Sequence, residues 1–152
     1  MEIFLDRCYY HNMSQIRTNA LCMFLHEGNV LAGKGVDKKT DKVFYRLFGG
    51  GIEIGETSEE AIVREIKEEL GATAINLKKL SVIENIFEYQ GNKMHEITFL
   101  YKGDILEKSF YENKDIARID KEGYAYWISI QDILSGKNIL YPEQAHDYLT
   151  IN

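Results

Sequence analysis

Glu65, Glu68 and Glu69 stand at i, i+3 and i+4 in a chain of 152 residues. At about 100° per residue, that spacing puts three carboxylates on one narrow stripe of a helix. Like charges so close destabilise an isolated helix by roughly 0.2–0.5 kcal/mol per pair, so the stripe needs water or a counter-ion. A hard divalent cation, Mg²⁺ or Mn²⁺, matches it chemically. Such ions take oxygen ligands from a few carboxylates and complete their shell with substrate phosphates. The chemistry served would be metal-assisted attack of water on a phosphoanhydride. Three glutamates alone also fit a solvated acidic face that meets a partner and needs no metal.

The elements that must position these acids are legible around them. Thr57 with Glu60 three residues on is a capping box, and Gly71 supplies a stop, so the spacing predicts a helix between them. Ile62, Val63, Ile66 and Leu70 form the adjoining apolar stripe, which would bury one side and aim the acidic edge. Ahead of the helix, Gly49, Gly50 and Gly51 allow positive φ and close approach of the backbone to a phosphate or metal. Val43 to Phe48 reads as the strand feeding those glycines, and Arg46 on it could grip a phosphate or carboxylate at two points. Lys34 to Lys42 reads as a polar loop, from which Lys34, Lys38, Lys39 or Lys42 could reach a phosphate.

Written as a pattern, the stretch is Gly50, five residues, Glu56, seven residues, then Arg64-Glu65-Ile66-Lys67-Glu68-Glu69-Leu70-Gly71-Ala72. It resembles an unbroken signature of the Nudix (MutT-like) hydrolases, whose fixed spacing makes it specific. The resemblance implies a loop, helix and loop over residues 50–72 that carry divalent metals and hydrolyse a nucleoside diphosphate linked to another group. It further implies that Glu65, Glu68 and Glu69 are the metal and catalytic carboxylates and that the Gly50 carbonyl is a further ligand. Glu56 and Arg64 would form a supporting ion pair, with Arg64 to Glu68 as a competing pair one turn apart. Many relatives read Leu-Pro-Gly-Gly before the box, whereas this chain reads Leu47-Phe48-Gly49-Gly50-Gly51. The missing proline costs loop rigidity but no ligand. Relatives often add an acid from outside the box, for which Glu96, Glu112 and Glu84 are the candidates. Substrates implied are nucleoside triphosphates, nucleotide sugars or dinucleoside polyphosphates. Tyr89 lies where dinucleoside polyphosphate hydrolases often place a tyrosine, although ten tyrosines make coincidence an adequate reason. A nucleotide-sensing module on the same fold, binding without cutting, is the alternative.

The remaining chain supplies a scaffold. Ile16 to Leu25 ends in six apolar residues and reads as a strand buried on both faces, turned at His26-Glu27-Gly28-Asn29 into a partner strand at Val30 to Ala32. His26 is expected in solvent. Leu77 to Glu88 and Met94 to Lys102 read as a hairpin. Phe110 to Lys121 reads as irregular surface, and Tyr124 to Ile130 as a strand whose Trp127 could be core or stack on a base. Ser129 with Asp132 caps a short helix, and Pro142 opens a last one. Periodicity gives mixed α/β, and the resemblance sharpens this to an α/β/α sandwich around a mixed sheet, in one domain spanning residues 1–152.

Composition bounds the partners. A formal net charge of −6 opposes binding to long nucleic acids, while leaving a small phosphorylated nucleotide possible. No apolar run is long enough to span a membrane. Met1 to Tyr10 lacks the pattern of a secretory signal, so a cytoplasmic protein, as monomer or homodimer, is expected. Cys8 and Cys22 read as free thiols, the latter as core.

Overall fold

The computed structural model describes residues 15–150. Their elements are β1 (Arg17–His26), β2 (Asn29–Asp37), β3 (Lys42–Arg46), β4 (Phe48–Gly51), α1 (Ser58–Leu70), β5 (Ala74–Tyr89) and β6 (Asn92–Ile105). There follow α2 (Ser109–Glu112), β7 (Asp115–Ala117), β8 (Tyr124–Ser129), α3 (Ile130–Leu134), β9 (Leu140–Tyr141) and a terminal 3₁₀ helix (Glu143–Tyr148).

The apolar run of β1 becomes the shared wall of two cores. Successive strand residues point to opposite faces, so Ala20, Cys22 and Phe24 pack with Ile62, Ile66 and Leu70 of α1. Leu21 and Met23 face the other way, into Ile130 and Ile133 of α3 and Ala145 and Leu149 near the terminal helix. Each Leu, Ile, Met or Phe among them, once fully buried, contributes about 1.5–3 kcal/mol. Along its edges β1 runs parallel to β6 and antiparallel to β4 and β2. The result is a mixed sheet with helices on both faces, the α/β/α layering expected from the sequence.

Three local expectations need correction. Lys34 to Asp37 are strand, since Gly33 to Asp37 pair with Arg46 to Lys42 across the β2–β3 hairpin. Only residues 38–41 form the reversal, closed by Asp37 accepting from the Lys39 amide at 2.9 Å. Phe110 to Lys121 is not wholly irregular, because it holds part of α2 and also β7, which pairs with β8. His26 is not simply in solvent: its ring lies 5.0 Å from Tyr111 and 5.6 Å from Trp127. Trp127 itself stacks on Tyr111 and donates its indole N–H to the Phe110 carbonyl at 2.8 Å. Its partners are therefore protein groups. Cys22 is fully buried, whereas Cys8 and the stretch Met1 to Tyr10 lie outside the described residues. Among the described residues no helix is long and apolar enough to cross a membrane.

Candidate active site

Both ends of α1 are fixed as its sequence demands. The Thr57 hydroxyl accepts from the Glu60 amide at 3.2 Å, and Glu60 accepts from the Thr57 amide at 2.8 Å. Gly71, at φ 67°, donates its N–H to the Lys67 carbonyl at 2.9 Å. A side-chain cap of this kind stabilises a helix by about 1 kcal/mol, and here it also sets the height of the acidic edge. Packing then splits the three glutamates. Glu65 and Glu69 are buried, 5% and 4% exposed, while the Glu68 side chain stays 55% exposed.

Glycine is required where the sheet meets that edge. Gly49 has φ 138°, and a Cβ there would sit 2.0 Å from the Ala20 carbonyl oxygen. A Cβ on Gly50 would lie 2.5 Å from the Glu65 carboxylate. The bare backbone of β4 is thus what lets Glu65 lie against it.

Two arginines attend the buried acids. Arg64 grips Glu56 through Nε at 2.7 Å and Nη2 at 3.0 Å, and donates through Nη1 to Glu65 Oε1 at 2.9 Å. It also reaches Glu68 Oε2 at 3.3 Å and the Gly51 carbonyl at 2.9 Å. The expected Glu56 pair and its local competitor therefore coexist. Arg64 hydrogen bonds hold Glu56 below the usual carboxylate range. From the loop after β7, Arg118 donates Nη2 to Glu69 Oε2 at 3.2 Å. Each buried glutamate has one oxygen served by an arginine. The other oxygens, Glu65 Oε2 and Glu69 Oε1, are buried with no donor from any other described residue, and the two carboxyls interact with one another.

That pair of acceptors is an electrostatic demand. Burial raises the Glu65 carboxyl above its ordinary range, and Arg64 only partly opposes it. Burial, against the pull of Arg118 and with the charge of Glu65, pushes Glu69 up to about 8. Two adjacent desolvated carboxylates with donor-free oxygens fit a hard cation, which would satisfy both oxygens and neutralise the repulsion. Among the described residues no three His, Cys, Asp or Glu side chains are grouped so that they could hold a metal ion by themselves. Further ligands would have to come from the main chain at Gly50 and from a bound phosphate, since Glu68 is exposed and turned to Arg64.

Glu69, Gly49 and Gly50 open onto a cleft of about 460 Å³, also lined by Arg46, Glu96, Lys34, Lys42 and Tyr89. Glu96 is 3% exposed and faces Arg17 at 3.6 Å and Arg46 at 3.9 Å. Lys34 and Lys42, proposed for phosphate from sequence, thus reach the cleft, whereas Lys38 and Lys39 do not line it. The other two outer acids are not brought there. Glu84 is solvent-facing beside His95 at 3.4 Å, and Glu112 lies exposed on α2.

Sequence reasoning missed Arg17, Asn19, Arg118 and Lys121, all of which line the cleft. Arg17 and Asn19 alternate at the start of the β1 run, and that period-2 phase was the available signal. The Asn19 amide oxygen accepts from Thr98 at 2.6 Å, leaving its buried Nδ2 unpartnered. Lys121 has its pKa lowered by burial and then by Arg118.

The chain matches the NUDIX domain family over residues 15–148. In three dimensions it is similar to a NUDIX hydrolase from Nitrosomonas europaea, with TM-score 0.64 and 17% identity over 88% of this chain and 85% of that one. A MutT protein from Methanosarcina mazei Go1 gives 0.59 at 19% identity, covering 88% and 90%. A MutT NUDIX hydrolase from Burkholderia pseudomallei gives 0.56 at 21%, covering 78% and 86%. At such identities the structural likeness is one of fold. Because the family match runs through both cores, and not through the acidic helix alone, the chain as a whole belongs to the Nudix hydrolase family.

Proposed function

We propose that the chain is a divalent-metal-dependent pyrophosphohydrolase that cleaves the phosphoanhydride of a nucleoside diphosphate linked to a further group. The observation that carries this reading is the pair of donor-free, buried oxygens on Glu65 and Glu69 beside a cleft holding Arg46. Bound there, Mg²⁺ or Mn²⁺ would neutralise diphosphate charge and acidify a water. Glu65, Glu69 and the Gly50 main chain are the residues that would hold it, and Glu68 would join them only on leaving Arg64.

The chain's own groups do the rest. Arg64, locked onto Glu56 and Gly51, keeps the glycine run and the helix in one frame. Glu65 spends Oε1 on Arg64 and has only Oε2 left, so it would serve either as a ligand of the cation or as the acceptor of a proton from the attacking water, not as both at once. Glu96, buried at the cleft between two arginines, is the second candidate acceptor of that proton. Arg46 offers a guanidinium to an anionic oxygen. Tyr141, exposed at the cleft and backed by the buried Phe44 ring 5.6 Å away, offers a face on which a nucleobase could stack. Catalysis on this plan is placement plus charge neutralisation.

A screen of nucleoside triphosphates, nucleotide sugars and dinucleoside polyphosphates with Mg²⁺ or Mn²⁺, read by product identification, tests the reading. Metal-dependent release of a nucleoside monophosphate or of pyrophosphate supports it. Tight nucleotide binding with no product would favour the sensing module, and calorimetry without cation uptake, with or without nucleotide, would end both.

A further inference from the structure

Arg118 makes more of its guanidinium than a contact to Glu69. Its Nε and Nη2 hold the two oxygens of Asp120 at 3.0 and 2.8 Å, and Nη2 also donates to Glu69 Oε2 at 3.2 Å. The guanidinium lies over the Phe48 ring, 5.2 Å from its centroid, and the side chain is only 10% exposed. Two of its nitrogens and one face are therefore fixed. The remaining nitrogen, Nη1, makes no hydrogen bond to any described residue. It stands at the cleft wall by Gly33, where a Cβ would be 3.1 Å from it.

We infer that Arg118 is a substrate-contacting residue that presents Nη1 to a non-bridging oxygen of the bound diphosphate, next to the carboxylates of α1. The chemistry is specific. A guanidinium anchored by a bidentate carboxylate has lost its rotational freedom in advance, so little ordering remains to be done when an anion arrives. With the Nε and Nη2 fork spent on Asp120, Nη1 keeps an N–H for one phosphate oxygen. Glu69 is shared between this arginine and the proposed cation position, so one carboxylate fixes the spacing of both positive groups that a diphosphate would meet. Gly33, lacking a side chain, leaves Nη1 uncovered.

The inference rests on the diphosphate-hydrolase reading, and its test separates the two. Inorganic pyrophosphate is titrated into the full chain by calorimetry at saturating Mg²⁺, alongside Mn²⁺ titrations without pyrophosphate. In Arg118→Ala, pyrophosphate affinity falls by about 10- to 100-fold, the range of a lost charge-assisted contact, while Mn²⁺ affinity changes by much less. Arg118→Lys recovers only part of the loss, because one ammonium cannot hold Asp120 and reach the ligand as a fork does. Gly33→Ala leaves Arg118 and Asp120 intact and sets a methyl against Nη1, so pyrophosphate binding weakens several-fold, which serves if Arg118→Ala fails to fold. Wild-type pyrophosphate affinity in Arg118→Ala or in Gly33→Ala overturns the inference. So does an equal loss of Mn²⁺ and pyrophosphate affinity, which would mean that Arg118 acts only through Glu69. Failure of the unmodified protein to bind Mg²⁺-pyrophosphate would overturn the hydrolase reading along with it.

Discussion

Residues 50–72 and residues 115–123 each send an arginine to a buried glutamate, and they do so by different routes. Arg64 reaches Glu65 from the next position in sequence, on a helix whose caps and spacing are local. Arg118 reaches Glu69 from 49 residues away, on a loop anchored by β7 pairing and by the Ile119 amide donating to the Glu69 carbonyl at 3.0 Å. The first arrangement is written in one turn of helix. The second exists only after the chain has closed. On the proposed function, the difference divides a part that would hold the cation from a part that would fit the ligand.

The strongest test of that division is the carboxylate they share. Glu69→Gln keeps shape and the Arg118 contact but removes charge, and steady-state assays at saturating Mg²⁺ should show kcat reduced at least about 100-fold. Its urea midpoint should stay near that of the parent. Full turnover in this variant would break the comparison at its root.

Next in size is the contrast between the two arginines in stability. Arg64 serves four carboxylates or carbonyls in hydrogen bonds, namely Glu56, Glu65, Glu68 and Gly51. Arg118 serves two, Glu69 and Asp120. Arg64→Ala should therefore cost about 2–4 kcal/mol in denaturant titrations and Arg118→Ala about 1–2 kcal/mol. The opposite order would show that the distal loop, and not the box, is the structural partner.

Cation binding should raise stability in the same experiment. Mn²⁺ at a hundred times its Kd adds about 2.7 kcal/mol if it binds only the folded chain, and Glu69→Gln should lose most of that increment. An unchanged thermal midpoint in the parent protein would count against Glu65 and Glu69 as ligands.

The smallest effect sharpens the comparison by serving as a control. Glu107 is also a long-range acid, accepting from the Thr73 amide at 2.9 Å and hydroxyl at 2.8 Å, yet it is remote from the cleft lining. Those bonds, led by the backbone one, hold its carboxyl below the usual range. A depressed folded-state pKa gives stability that is full above the unfolded carboxylate range and is lost as pH falls through the folded value. Glu107→Gln should thus cost about 0.5–1 kcal/mol at pH 7, with the gap to the parent closing below about pH 4, and leave activity alone. A gap that persists in acid would mean that shape rather than charge matters there.

The contrast also explains what could be read in advance. The β1 run, both caps of α1, the β5–β6 hairpin and the Ser129 cap depend on neighbours within a few positions, and each was legible. Lys34 to Asp37 misled because glycines and charges look like loop, whereas ladder pairing to β3 decides their state. Spacing could crowd Glu65, Glu68 and Glu69 together, but it could not say that packing would bury two and expose the third. Arg17 meeting Glu96 required the parallel pairing of β1 with β6, and Arg118 meeting Glu69 required closure of a distant loop. Neither partnership leaves a mark on local sequence.

The pairing of β1 has one more consequence. Ala20 sits opposite Gly50 on one side and Phe99 on the other. A slip of one residue would exchange the inward sets of both cores at once, Ala20, Cys22 and Phe24 trading faces with Leu21 and Met23. It would also carry Arg17 and Asn19 away from the groove. The alignment of the reactive centre is thus inherited from strand registration, and melting should take both halves of the molecule together in a single cooperative step.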